Sequence, residues 1–411
     1  LKDAIRYGTN PDGKDLDWNM PRYELDDADA ATLARYLLSL SAGFSPGVTD
    51  ESLTLATVVD SRLPQEERQA LLSPLKAYIR TRNNDPRRNR QRASKGVFYH
   101  QESYSAYRKL RLLVWELKGP AASWAKQLET LYRQDPPFAL VAGRVRGSWR
   151  PIQDFCEQKQ LPALFPLTER PGPPENNWYT LYLDGGLRQQ GRTAALFLHH
   201  QKRPVQVYQL AESAAARELA EGFTRTWRML GHPAPRPLSP DGTLPDIADT
   251  PVVLLWDPGA SKDRRLAGLD PSIPVMLSAS LVPLDRARQL SQKGHRVLLV
   301  WPWRLPDEQP KFLSPVRRWL KVHQVPEIDL KLQSDVYFLG WMLTGALRAM
   351  GNEFYRDYLL DMFDMMQDQT YAHPFYPRLS FGPGQRFASK GGYVLTLADG
   401  KTADVSRWLT Q

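Results

Sequence analysis

Phe138-Ala139-Leu140-Val141-Ala142-Gly143, then Pro151-Ile152-Gln153-Asp154-Phe155-Cys156-Glu157, then Leu161-Pro162-Ala163-Leu164-Phe165-Pro166 decide the fold. The first run, apolar and closed by glycine, has the length of a buried strand. Ser148 stands where a helix N-cap belongs, and the helix it starts runs to about Gln160. Leu161 to Phe165 is the next strand. Strand, helix and strand with short connections make a βαβ unit, whose strands lie parallel and whose helix covers one face.

The same rhythm extends in both directions. Upstream, Leu53 to Val59 is β-rich, and a helix follows Pro64 through Arg80. Tyr104 to Leu117 shows apolar residues at helical spacing up to Gly119-Pro120, and Ala121 to Tyr132 is a further helix. Downstream, the strand Trp178 to Leu183 precedes a helix from Gly185 to His200, and Val205 to Tyr208 precedes one from Ala214 to Leu230. Val252 to Trp256, Val275 to Leu277 and Val297 to Val300 supply more strands. Two long helices, Lys331 to Met350 and Glu353 to Gln367, come before Arg378 to Leu397, which reads as strand, glycine-rich turn and strand. Two successive parallel-sheet units predict an α/β protein of two lobes.

Composition sets limits on function. The 411 residues suffice for two or three domains. No stretch approaches the roughly 18 to 20 apolar residues of a membrane-spanning helix. A lone cysteine, Cys156, excludes a disulfide framework. The net charge of +9 is concentrated in Arg80, Arg82, Arg87, Arg88, Arg90, Arg92 and Lys95. That stretch holds no aromatic residue to stack a base, so nucleic acid is not the expected partner. A solvated loop and a face that docks on an acidic protein or anionic lipid both stay open.

Before the first lobe, Ala4-Ile5-Arg6-Tyr7-Gly8, Asp17-Trp18-Asn19-Met20-Pro21-Arg22-Tyr23 and the helical run Asp26 to Leu40 resemble the second half of a c-type cytochrome. The resemblance implies that Met20 is an axial haem ligand and that another half carries Cys-x-x-Cys-His. Here Cys156 is followed by Glu157, so no haem attaches covalently to this chain. Either the chain is a fragment of a longer haem protein or only the tail of a cytochrome persists. The resemblance implies haem c in the full-length protein and a periplasmic location.

From Leu53 to Leu397 the chain resembles the type I periplasmic solute-binding proteins that serve branched-chain amino-acid ABC transporters. The resemblance rests on the deciding stretch, on the helix with Ser334-Asp335-Val336-Tyr337, and on Phe381-Gly382-Pro383-Gly384-Gln385-Arg386-Phe387, similar to that family's closing hairpin. The expected organisation is a cytochrome remnant over 1–42, a linker over 43–52 and a binding domain over 53–411. Its first lobe is about 53–180, its second about 181–330, and 331–411 crosses back between them. The resemblance implies a solute between the lobes, at the carboxyl ends of the strands.

Candidate ligand residues follow. Arg144, Arg146, Ser148 and Trp149 form the first-lobe loop; Thr168, with Glu169 beside it, follows the next strand. Glu212 and Asp257 offer second-lobe acids for an α-ammonium. Equally, Glu212 caps its helix, Asp257 begins a turn and Arg144 pairs with a nearby acid. Adjacent His199 and His200 diverge on a helix and do not chelate one metal. Met350, Met362, Met365 and Met366 fit core packing better than a Cu(I) site. The expected function is non-enzymatic binding of a small polar solute, an amino acid or carboxylate. The alternative is a ligand-free scaffold that docks a cytochrome on a redox partner. An ABC transporter and a redox protein are the expected macromolecular partners.

Overall fold

The structure is a computed structural model that describes residues 1–10, 12–17, 21–39, 45–84, 108–202, 205–238, 244, 250–257, 269–365, 373–382 and 384–410. Met20, Arg87, Arg88, Arg90, Arg92, Lys95 and Met366 lie outside the described residues. The chain divides into two compact units, Leu1–Ser45 and Pro46–Gln411.

The small unit is helical. Its helix Lys2–Tyr7 ends at Gly8, whose φ of 69° suits glycine and whose N–H bonds the Asp3 carbonyl. The helix Asp27–Ser39 begins where Asp26 Oδ1 accepts the Asp29 amide at 2.7 Å. Ile5, Ala30 and Ala34 are its buried apolar residues.

In the large unit the first sheet is built from β1 (Ser52–Asp60), β2 (Lys109–Leu117), β3 (Ala139–Val141), β4 (Ala163–Leu164) and β5 (Thr180–Asp184). They pair in parallel in the order β5-β4-β3-β1-β2. Residues 53–60 of β1 are all buried, as a central parallel strand covered on both faces requires. The order reverses between β1 and β3, which makes a topological switch point where their carboxyl ends diverge.

One expectation fails here. Residues 109–117 form the edge strand β2 rather than the end of a helix. The run Lys-Leu-Arg-Leu-Leu-Val-Trp-Glu-Leu fits both periods, and pairing along all of β1 decides for the strand. Residues 104–107 lie outside the described residues.

The chain leaves the first lobe after β5. The second sheet contains β6 (Val205–Leu210), β7 (Arg236–Pro237), β8 (Thr250–Leu255), β9 (Val275–Ser278) and β10 (Val297–Trp301), parallel in the order β7-β6-β8-β9-β10. The helices Gly186–His200 and Ala214–Met229 pack together on it, and glycine lets them touch. A Cβ on Gly191 would lie 2.0 Å from the Leu219 carbonyl oxygen, and one on Gly222 would lie 2.1 Å from that of Arg188. Two helices, Leu284–Gln292 and Gln309–Val322, have no counterpart in the sequence-based expectation.

The end of the chain ties the lobes together. The helices Leu330–Ala349 and Arg356–Asp364 join the first-lobe core. β11 (Phe387–Ser389) then pairs in parallel with β5, whereas β12 (Gly391–Ala398) pairs antiparallel with β10. The expected strand-turn-strand over 378–397 is therefore a crossover between sheets, not a hairpin. The hairpin lies further on, between β12 and β13 (Lys401–Val405). A final short strand, β14 (Leu409–Thr410), pairs with the start of β12.

Candidate functional site

The loops after β1, β3, β4 and β5 gather at the switch-point edge of the first lobe. Most of the residues expected to read a ligand there are committed to the protein itself. The Arg144 amide donates to the Val58 carbonyl at 2.8 Å, its Nε to Glu67 Oε2 at 2.5 Å, and its Nη1 to the Leu167 carbonyl at 3.1 Å. Arg146 is exposed, and its amide donates to Asp60 Oδ2 at 3.2 Å. Ser148 Oγ accepts the Arg150 amide at 3.2 Å where the helix Arg150–Lys159 begins. Trp149 is wholly buried in the first-lobe core, with its ring so close to Gly143 that a Cβ there would lie 2.7 Å from Cη2. It faces the core and not the cleft. Thr168 Oγ1 accepts the Arg170 amide at 3.0 Å.

In the second lobe, the Asp257 carboxylate accepts the amides of Glu212 and Ser213. Ser213 Oγ in turn accepts the Ala216 amide at 3.1 Å, so these groups cap the helix Ala214–Met229. Asp257 thus holds backbone where an ammonium-binding acid was expected.

Glu169 has a different setting. It meets Asp184, Lys331, Asp335 and Tyr376, with Arg144 alongside, around a space of about 10 Å³. That is room for a single water. Lys331 Nζ lies 3.7 Å from Asp335 Oδ2, one helical turn away. Three carboxylates therefore surround one ammonium, with Arg144 paired to Glu67 and the buried His373 ring Nε2 3.2 Å from Asp335 Oδ1. Burial raises the carboxyls of both Glu169 and Asp184 above their ordinary range, and Lys331 offsets only part of that effect. Burial opposes the charge on Lys331, yet Asp335, Glu169 and Asp184 together hold its pKa above the usual lysine value. Burial, followed by the neighbouring carboxylates of Asp184 and Asp335, pushes the Tyr376 phenol well up.

The cluster sits where the lobes meet. Ser280, just after β9 in the second lobe, hydrogen-bonds the Glu169 carboxylate and accepts from Gln190 Nε2 at 2.8 Å. Beside it Arg170 Nε reaches Glu218 Oε1 at 2.8 Å, and Arg225 Nη1 reaches Glu175 Oε1 at 3.0 Å. Both ion pairs join first-lobe loops to the second-lobe helix Ala214–Met229.

The sequence points to Glu169 and Arg144 in this region but not to Asp184, Lys331 or Tyr376. The i,i+4 pair Lys331 and Asp335, on the helix already singled out for Asp335, was the available signal.

Other candidates separate. Met350 and Met362 are buried in the core whereas Met365 is 66% exposed, so they do not converge on one ion. Among the described residues no three His, Cys, Asp or Glu side chains are placed to hold a metal. His199 Nδ1 contacts His232 Nε2 at 2.9 Å, and Trp227 stacks on His232. Burial pushes the Cys156 thiol far up, which leaves it unreactive.

No protein-family profile matches the chain. No curated protein matches it either. Solved structures do. One is a putative branched-chain amino acid ABC transporter protein from Rhodospirillum rubrum, 15% identical, with a TM-score of 0.56 over 85% of this chain and 99% of that one. A second is a branched-chain amino acid ABC transporter protein from Thermus thermophilus with bound valine, 10% identical, TM-score 0.56, covering 88% and 97%. A third is a type 1 periplasmic binding protein from Bordetella pertussis, 12% identical, TM-score 0.55, covering 88% and 100%. The large unit has the type I periplasmic-binding-protein fold. Among the described residues no helix is long and apolar enough to cross a membrane.

Proposed function

We propose that this chain is a non-enzymatic periplasmic receptor whose lobes close on a small polar solute that bears an ammonium group. The observation that carries this reading is the excess of carboxylate at the lobe junction, where Glu169, Asp184 and Asp335 face the single ammonium of Lys331. A solute ammonium placed near Glu169 and Asp184 supplies the missing positive charge. Arg146, exposed at the same strand edge and in no ion pair with a described residue, is suited to the solute carboxylate. An amino acid has both groups. The space of about 10 Å³ is too small for it, so entry requires the Arg170–Glu218 and Arg225–Glu175 pairs to open.

Handing the solute to an ABC transporter is the matching role, in line with the solved structures that share the fold. Coupling to a cytochrome rests on the resemblance of residues 4–40 alone. The residues present do not fit covalent haem attachment: the one cysteine is buried in the first-lobe core and no Cys-x-x-Cys-His occurs. The docking-scaffold reading draws its support from the nearly filled junction.

A thermal-shift panel that pairs each amino acid with its deaminated counterpart separates the two. A solute at about a hundred times its Kd adds roughly 2.7 kcal/mol of stability. The receptor predicts stabilisation by at least one amino acid and none by its deaminated partner. Silence across the panel favours the scaffold, and hits among carboxylates lacking nitrogen reject the ammonium reading.

A further inference from the structure

A second cavity, of about 740 Å³, opens on the flank of the molecule and shares no residue with the junction cluster. The first-lobe segment 171–177, the helices Gly186–His200 and Ala214–Met229, the segment 378–390 and the end of the chain surround it. Its size is that of a small-molecule site.

The charge on its wall is one-sided. Among the described residues, Arg188, Arg192, Arg225, Arg378, Arg386 and Lys390 line it against the one acid Glu221. Arg188 pairs with Glu221, Arg225 with Glu175, and Arg386 with Asp364. Three cations remain. Arg192 and Arg378 form no ion pair with any described residue, and Arg192 Nη2 is buried without a hydrogen-bond partner. Among the described residues Lys390 Nζ donates to neutral oxygens, those of Ser380 at 2.8 and 3.0 Å and that of Gln385. Burial lowers the pKa of both Arg192 and Lys390, so the fold bears a cost for holding these charges. A buried guanidinium nitrogen without an acceptor calls for an explanation.

The wall also has carbon surface from Met229, Phe387 and Trp408. Bare phosphate or sulfate would satisfy the cations but leave that surface and most of the volume unused. We infer that the flank cavity binds an organic anion with two or three carboxylates on an apolar or aromatic body, read by Arg192, Arg378 and Lys390. Guanidinium forks suit carboxylates, and the carbon surface suits the body that carries them.

The test is calorimetric titration of the chain with benzene-1,3,5-tricarboxylate, citrate and inorganic phosphate at low and physiological salt. The aromatic tricarboxylate is expected to bind more tightly than phosphate, with affinity falling as salt rises. Arg192→Gln with Arg378→Gln should weaken it at least tenfold, while Glu169→Gln leaves it unchanged. Arg192→Met removes an uncompensated cation, so it should raise the melting temperature while weakening binding, which separates a lost site from a lost fold. The inference is overturned by no tricarboxylate binding at millimolar concentration, by phosphate binding as tightly, or by full affinity in the folded double variant. An amino acid hit that Glu169→Gln abolishes leaves it untouched.

Discussion

Replacing Arg356 by alanine is expected to destabilise the large unit strongly. Arg356 is 7% exposed. Its guanidinium donates to the carbonyls of Pro137 at 2.5 Å, Phe138 at 3.1 Å, Lys159 at 3.1 Å and Gln160 at 3.4 Å, and to the Tyr132 hydroxyl at 3.2 Å. It thereby joins the entry to β3 with the exit of the helix Arg150–Lys159. Removal leaves the buried carbonyls of Pro137 and Phe138 without this donor, at about 1–3 kcal/mol each. Allowing for partial relaxation, the total loss is about 3–5 kcal/mol. Urea denaturation measures it through the midpoint at constant slope. A loss below about 1 kcal/mol would mean that these carbonyls find other partners.

The second large effect concerns the junction. Lys331→Met leaves Glu169, Asp184 and Asp335 without their ammonium. At neutral pH the cost is about 2–3 kcal/mol, below that of a fully buried unpaired charge, because the Lys331 side chain is 27% exposed and solvent screens part of the loss. The pH dependence gives the sign. Glu169 and Asp184 have folded pKa values above the ordinary 4.5 and 3.8. Their contribution to stability is thus fully present below those ordinary values and is lost as pH rises through the raised ones. Lys331, raised above 10.5, keeps its own contribution at neutral pH and loses it only in strong alkali. The gap between wild type and Lys331→Met should therefore be wider at pH 8 than at pH 5. Equal gaps at both values would show that the carboxyls are already protonated at pH 8 or are solvated in the fold.

Much of the fold can be read from the chain because its central strands are short apolar runs flanked by turn residues. Leu53 to Val59, Phe138 to Ala142 and Val297 to Val300 can hardly be anything but buried strands. The misreadings have local causes. Residues 109–117 satisfy helix and strand periods alike, and only the β1 pairing decides between them. The polar helix Leu284–Gln292 buries only Ala287, Leu290 and Ser291, and Gln309–Val322 contains Pro315, so neither announces itself. The segment 378–397 has the composition of a hairpin, yet its two strands enter different sheets.

The candidate site was less legible. Ser148, Thr168 and Asp257 have the chemistry of ligand-binding residues, but each holds a backbone amide nearby, and a sequence does not distinguish those uses. The junction cluster brings together positions 169, 184, 331, 335 and 376, which only the crossover of the last segments places side by side. The flank cations come from equally distant segments, and singly they read as ordinary surface arginines.

An ammonium-bearing solute is expected to bind at the carboxylate-rich junction. This is tested most directly by titrating the best amino acid from the panel into wild type, Glu169→Gln and Arg192→Gln/Arg378→Gln in the calorimeter. The account predicts at least a tenfold loss for Glu169→Gln, about 1.4 kcal/mol, and unchanged affinity for the flank double variant. Equal affinity for wild type and folded Glu169→Gln would contradict it.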